Sequence, residues 1–359
     1  MSDPTHIPDA AGSSRGTADP AEAVVANTPV GRGDAIVHGT ILAVVSSFCY
    51  TFSIISLRAV TDEGADWAAW VSCLKAIPTV ATALVIILLR RRTIVWPSRR
   101  MIVTLLVSGT AMQLLGNVGF QWGLALGGMA FTVPISQASL LVSGAMLGVV
   151  WIGERVSRRS VAAMAVLITA IGLLSIDADQ FAAGVGVDTS GLGSAILLTI
   201  AAGLVAGIGW GQSGVVIRQA AKSGVSTSAI ILLLSSTALV VLGGGVLVRQ
   251  GTAWIAERTS SYELWMSLLA GAFTSLAFFA LTAALKHISI VRANIINASQ
   301  IALTSLAGVV LFQEPVTRWM ILGTGLTIGG LLLMERPREV ATTGSDSSID
   351  SPPASGRSS

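Results

Sequence analysis

Lys75 interrupts the apolar run Trp67–Leu89, which holds no other charge. It stands eight residues beyond Trp67, about 12 Å along a helix rising ~1.5 Å per residue. A charge at that depth in a membrane is costly, so it turns toward a cavity or a partner unless it snorkels to the headgroups. An ammonium placed there can hold the carboxylate of a ligand or, once desolvated, pass on a coupled proton. No Asp or Glu lies inside an apolar run to act as its counter-ion. That favours an anionic or zwitterionic ligand, or a hydrated cavity.

Other polar residues could share such a site. Gln113, Asn117 and Gln121 recur at intervals of four, which makes one stripe on a helix, with Trp122 at its end. Ser136, Gln137 and Ser139 follow Pro134, and Asn294, Asn297, Ser299 and Gln300 form a similar cluster. Gln137 and Asn297 stand 160 residues apart, as do Tyr50 and Trp210. These residues are expected to line a substrate pathway. The competing role is hydrogen-bonding glue between helices or, for the aromatics, packing. With no Cys/His cluster, neither a metal nor any other cofactor is expected.

Two glutamates carry a different signal. GVVWIGERVSR starts at residue 148 and GVVLFQEPVTR at residue 308, with six of eleven positions identical. Glu154 and Glu314 each end a long apolar run. They are expected to break the helix and pair locally at a tight turn, Glu154 with Arg155, Arg158 and Arg159, and Glu314 with Arg318. A gating role at that turn is the alternative.

The elements that must position these residues follow from composition. The 359 residues are 52% hydrophobic and 11% charged, where a soluble domain carries about 25% charge. Met101–Gly153 contains no charge at all, and runs such as Thr189–Ile217, Ser223–Val248, Leu264–Leu285 and Ala293–Gln313 repeat the pattern. Without the alternation of a barrel strand, long apolar runs must be helices, because lipid satisfies no backbone group. The expected fold is an all-α integral membrane protein of ten transmembrane helices. Cys49 and Cys73 both fall within spans and read as small apolar filling. Residues 1–34 and 336–359 read as disordered tails, and no signal peptide is apparent.

Arginine and lysine set the orientation. With the N-terminus inside, internal loops on that side hold 12 Lys and Arg against 4 on the other. Both termini are therefore expected in the cytoplasm. The net charge of +3 reflects this bias and does not indicate nucleic-acid binding.

The offset of 160 also joins Arg58 to Arg218, Ser139 to Ser299 and Gly148 to Gly308. A constant offset argues for two tandem halves, 35–177 and 189–335, joined by a linker at 178–188. Five helices per half is an odd number, so the second half enters the membrane in the opposite sense. Such inverted repeats are typical of secondary transporters, with the site near the midplane between them.

On these residues the sequence resembles the drug/metabolite transporter superfamily, EamA type, over about residues 38–335. WIGERVSRRS followed by AIGLLSI matches the phrase that closes the family's fourth helix, and LFQEPVT followed by TIGGLLLM matches it more loosely. In CLKAIPTVATALVIILLRRR, Lys75 stands where the family often has arginine. A proline common about three turns before the glutamate is replaced by Leu141, and Pro134 lies further upstream.

The resemblance implies two five-helix units and export of small metabolites. The expected function is a secondary transporter of the inner or plasma membrane, working by alternating access on a small polar metabolite. Amino acids or related zwitterions lead, with nucleosides, sugars or cationic drugs as alternatives. Lacking a nucleotide-binding motif, it would be driven by a coupling proton or cation or by the substrate gradient, as a monomer or homodimer. An intramembrane enzyme would need an acid–base pair or nucleophile beside Lys75, and none is legible. A membrane sensor or scaffold would need a folded soluble domain, which the short polar tails do not supply.

Overall fold

The computed structural model describes residues 29–62, 64–152, 158–176, 192–284, 287–288 and 290–334. Glu154, the side chains of Asn294 and Asn297, most of both tails and the 178–188 linker lie outside the described residues. Every regular element among those described is helical.

In chain order these are α1 (Pro29–Arg58), α2 (Ala65–Leu89), α3 (Arg99–Ala111), α4 (Gly119–Ile152), α5 (Arg158–Ile176), α6 (Leu192–Lys222), α7 (Thr227–Thr237), α8 (Gly244–Arg258), α9 (Ser261–Ala284), α10 (Ile290–Phe312) and α11 (Arg318–Met334). π-Helical turns at Met112–Val118 and Ala238–Gly243 join α3 to α4 and α7 to α8. α1 begins at Pro29, ahead of the boundary expected at residue 35. By length and composition, six helical stretches can cross a membrane, and three shorter apolar helices accompany them.

Local chemistry sets the ends. Ser98 accepts the Met101 N–H and starts α3. At the start of α9 the Ser260 N–H donates to Glu263, whose own N–H reaches the Ser260 hydroxyl, a reciprocal cap.

The longest apolar stretch, Arg99–Trp151, has 53 residues, about 80 Å of helix against a hydrocarbon layer of ~30 Å. It cannot be one crossing. Gly128 breaks it with φ 65°, ψ −180°, a conformation closed to side chains with a Cβ. The chain folds back there, so that the Thr132 hydroxyl reaches the Gly123 carbonyl at 2.7 Å.

Helices far apart in the sequence pack together. α1 packs chiefly against α9 and α10, and α6 chiefly against α4. Small residues permit the α4–α6 approach: the Ser139 hydroxyl donates to the Leu204 carbonyl at 2.7 Å, and a Cβ at Gly203 would press on Ile135. The largest buried cluster joins Ile54, Leu57, Trp67, Phe120, Leu124 and Met129 at the end of the bundle that carries Arg58. Large apolar side chains such as Val150, Val240, Val248 and Trp265 point outward from the bundle, where a membrane would cover them.

Candidate functional site

A cavity of about 570 Å³ lies inside the helices, within the usual range for small-molecule sites. It runs from Ile54, Leu57 and Phe120 at the Arg58 end to Ile217, Ile231, Leu281 and Leu331 at the other. Seven of the sequence-selected residues line it: Tyr50, Lys75, Gln113, Asn117, Gln137, Trp210 and Gln300. They come from five helices and the first π-turn, and only folding brings them together.

Lys75 is the one charge among the described lining residues. Its Nζ donates to Asn117 Oδ1 at 3.3 Å. The Asn117 amide donates in turn to Gln113 Oε1 at 2.5 Å, and Gln113 Nε2 donates to the Leu234 carbonyl at 3.2 Å. The chain of bonds has a direction. The backbone of α7 orients Gln113, Gln113 orients Asn117, and the Asn117 carbonyl is left facing the ammonium. Both amides sit in the π-turn, and such turns occur frequently at functional sites. Gly116 in the same turn leaves room for the Trp210 indole, which a Cβ would meet at 2.7 Å.

Among the described residues, Gln121, Ser136 and Trp122 stand apart from the cavity. Gln121 is buried behind its Arg58 end, donating to the Leu57 carbonyl at 3.2 Å, and its Oε1 has no partner among the described residues. Ser136 is fully buried and donates to the Val133 carbonyl. Trp122 is partly buried and is not on the cavity wall. The stripe expected along Gln113, Asn117 and Gln121 therefore breaks at its third member. Gln113 and Asn117 both lie in the π-turn, whose i→i+5 bonding turns less per residue and keeps a period of four on one face, whereas Gln121 lies beyond it in α4, where four residues overshoot a turn of about 3.6.

Glu314 differs most from its expected place. Its partner is Arg58, 256 positions away, with Nε to Oε1 at 3.1 Å. Arg318 instead lies over the Trp319 ring, 5.7 Å from its centroid. After α10, Gln313 takes a left-handed conformation (φ 55°), and the Glu314 N–H bonds back to the Gly308 carbonyl at 3.1 Å. That turn drives the carboxylate into the protein, where it accepts the Met129 and Ala130 N–H groups, both at 2.8 Å. These are orphan donors at the start of the helix that follows the Gly128 break. A Cβ on Gly128 or on Gly308 would overlap the carboxylate. Arg58 also donates to the Thr61 hydroxyl at 2.8 Å and lies over the Phe312 ring, 5.4 Å from its centroid. One buried carboxylate thus ties α1, α4 and α10 together at the end where the largest apolar cluster sits. The sequence held a trace of this pair, because Arg58 recurs at the same 160-residue offset as the glutamates.

Residues 197–336 match the EamA-like transporter family. That agrees with the resemblance to the drug/metabolite transporter superfamily, and together with the apolar helices it supports a multi-pass membrane protein. A solved crystal structure is similar over 84% of this chain and 95% of its own, with TM-score 0.54 at 16% identity. At that identity it speaks to the fold alone. Comparison with curated proteins finds no match. Among the described residues no group of three or more His, Cys, Asp or Glu is placed to hold a metal ion.

Proposed function

We propose that the protein is a secondary transporter that moves a small metabolite with an anionic group through the Lys75 cavity by alternating access. The observation that carries this reading is the lone ammonium, held by Asn117 on the wall of an internal cavity. Several features support two inverted five-helix repeats as its frame. The break at Gly128 divides α4, which brings the first half to five helices. α1 packs on helices of the second half and α6 on a helix of the first. Asp66 and Ser226, 160 positions apart, each meet the other half: Asp66 accepts from Arg249 and Gln250 of α8, and Ser226 exchanges two bonds with Val95, in the segment before α3.

On the positive-inside reading, the end carrying Arg58 and Glu314 faces outward. The buried pair and the apolar cluster then hold the outer end closed, while the cavity extends toward the cytoplasmic ends of α6, α7, α9 and α11. Export from the cytoplasm through the inner or plasma membrane fits this closed outer end. Separating Glu314 from Arg58 and from the start of the helix at Met129 would open it.

Flux of a metabolite panel into or out of proteoliposomes tests the reading. Flux that disappears in Lys75→Ala, with membrane insertion unchanged, is the expected result. No flux of any compound under any ion gradient would refute it.

A further inference from the structure

Resting on that reading, we infer that the cavity selects a monocarboxylate with an apolar, ring-sized body and discriminates against the corresponding amino acid. The argument starts from charge. Lys75 brings one positive charge, and no described lining residue brings a negative one. The chain has 19 Asp and Glu in all, and none falls within residues 67–153, 158–176, 189–256, 264–313 or 315–334, which cover every span except α1. Within α1 the last acidic residue is Asp34, near its start. A membrane-depth carboxylate partner for Lys75 is therefore absent from the sequence itself.

The ammonium has three N–H donors. Asn117 takes one, and it is a neutral acceptor fixed by Gln113 and Leu234. A ligand carboxylate supplies the missing charge and has oxygens for the two remaining donors. A doubly charged phosphate would bring one negative charge too many for a site with a single cation.

A zwitterion brings a second ionic group that must also leave water. The cavity offers its ammonium only neutral acceptors and ring faces: Gln137 and Gln300 supply amides, and Tyr50, Phe120, Trp210 and Phe278 supply the rings. Neutral dipoles compensate a buried charge only in part. Repulsion from Lys75 acts on the same group. For a carboxylate with an apolar body the same rings are favourable, and Phe120 and Trp210 already pack as a tilted pair, 4.9 Å between centroids.

The test uses the full-length purified protein and four compounds with one body and different charge: 3-phenylpropanoate, L-phenylalanine, 3-phenylpropylamine and 3-phenylpropanamide. Melting-temperature shifts and calorimetric titration read binding, and proteoliposome flux is measured in parallel. The expected order puts 3-phenylpropanoate first, with L-phenylalanine weaker by more than about tenfold and the amine and amide weaker still. Lys75→Gln should abolish binding of 3-phenylpropanoate, and Lys75→Arg should restore part of it. L-Phenylalanine or the amine binding as tightly as the carboxylate would overturn the inference. So would carboxylate binding that survives Lys75→Gln, or no binding by any of the four. Flux of L-phenylalanine without that of 3-phenylpropanoate would overturn the charge preference and leave the transporter reading standing, whereas absence of flux across a broad panel would remove that reading itself.

Discussion

Glu314→Gln removes one charge with almost no change in shape, so its effect can be worked from the contacts. The carboxylate accepts three hydrogen bonds, from Met129 N–H, Ala130 N–H and Arg58 Nε. An amide has one acceptor oxygen, and its NH₂ then faces one of those donors. At least one backbone N–H loses its partner, at a cost of about 1–3 kcal/mol. Arg58 also loses its counter-charge, and its side chain is 15% exposed against 1% for Glu314. Breaking a fully buried pair costs about 3–5 kcal/mol. The partial exposure of Arg58 places the total near the lower end, about 3 kcal/mol against the closed state proposed for the Arg58 end, or roughly a hundredfold in its population. The assay is labelling of Leu57→Cys by a membrane-impermeant maleimide, in a background with Cys49 and Cys73 replaced by alanine. Leu57 borders both the cavity and the closing cluster. Labelling from outside should accelerate by one to two orders of magnitude in Glu314→Gln. An unchanged rate with a lowered melting temperature would mean that Glu314 only braces the fold, and the gating argument would fail. Unchanged values of both would refute the energetics as well.

Three further outcomes are expected. Gly128→Ala places a Cβ at positive φ against the Glu314 carboxylate and should lower stability by about 1–3 kcal/mol, read as a fall in melting temperature in detergent. Asn117→Asp supplies the internal counter-charge that Lys75 lacks, so it should weaken carboxylate binding at least about tenfold while the protein still folds; unchanged affinity would detach Asn117 from the site. Lys75→Ala should leave insertion intact and remove flux, and wild-type flux would take Lys75 out of the mechanism.

The apolar runs, the lone lysine and the paired amides were legible in the sequence because each depends on local spacing or on a charge count. Lys75, Gln113, Asn117, Gln137 and Gln300 do meet in one cavity. Gln121 and Ser136 did not follow: a period of four overshoots the α-helical turn once the π-turn ends at Val118, and Ser136 is one residue, about 100° of helix, away from the cavity-lining Gln137. In the sequence Glu314 reads as a local partner of Arg318 at a tight turn, because it ends an apolar run four residues before that arginine. What buries it is a fold-back through Gln313 onto a helix start that opens 184 positions earlier, beyond the reach of a local pattern. Gly128 was equally silent as one glycine among 38; its role depends on the carboxylate that arrives from α10.

The crosswise packing of α1 also has a consequence for how the protein is made. The Ser46 hydroxyl donates to the Ala277 carbonyl and the Ser53 hydroxyl to the Ala270 carbonyl, across separations of 231 and 217 residues. At about 5–20 residues per second of synthesis, α1 must wait in the bilayer for roughly 10–50 s before α9 exists. During that time its serines can bond only within their own helix or to water, and the first half cannot reach its final packing alone. A ribosome stalled after α5 would therefore release a half-protein exposed to quality-control proteolysis, and supplying the second half as a separate chain should protect it.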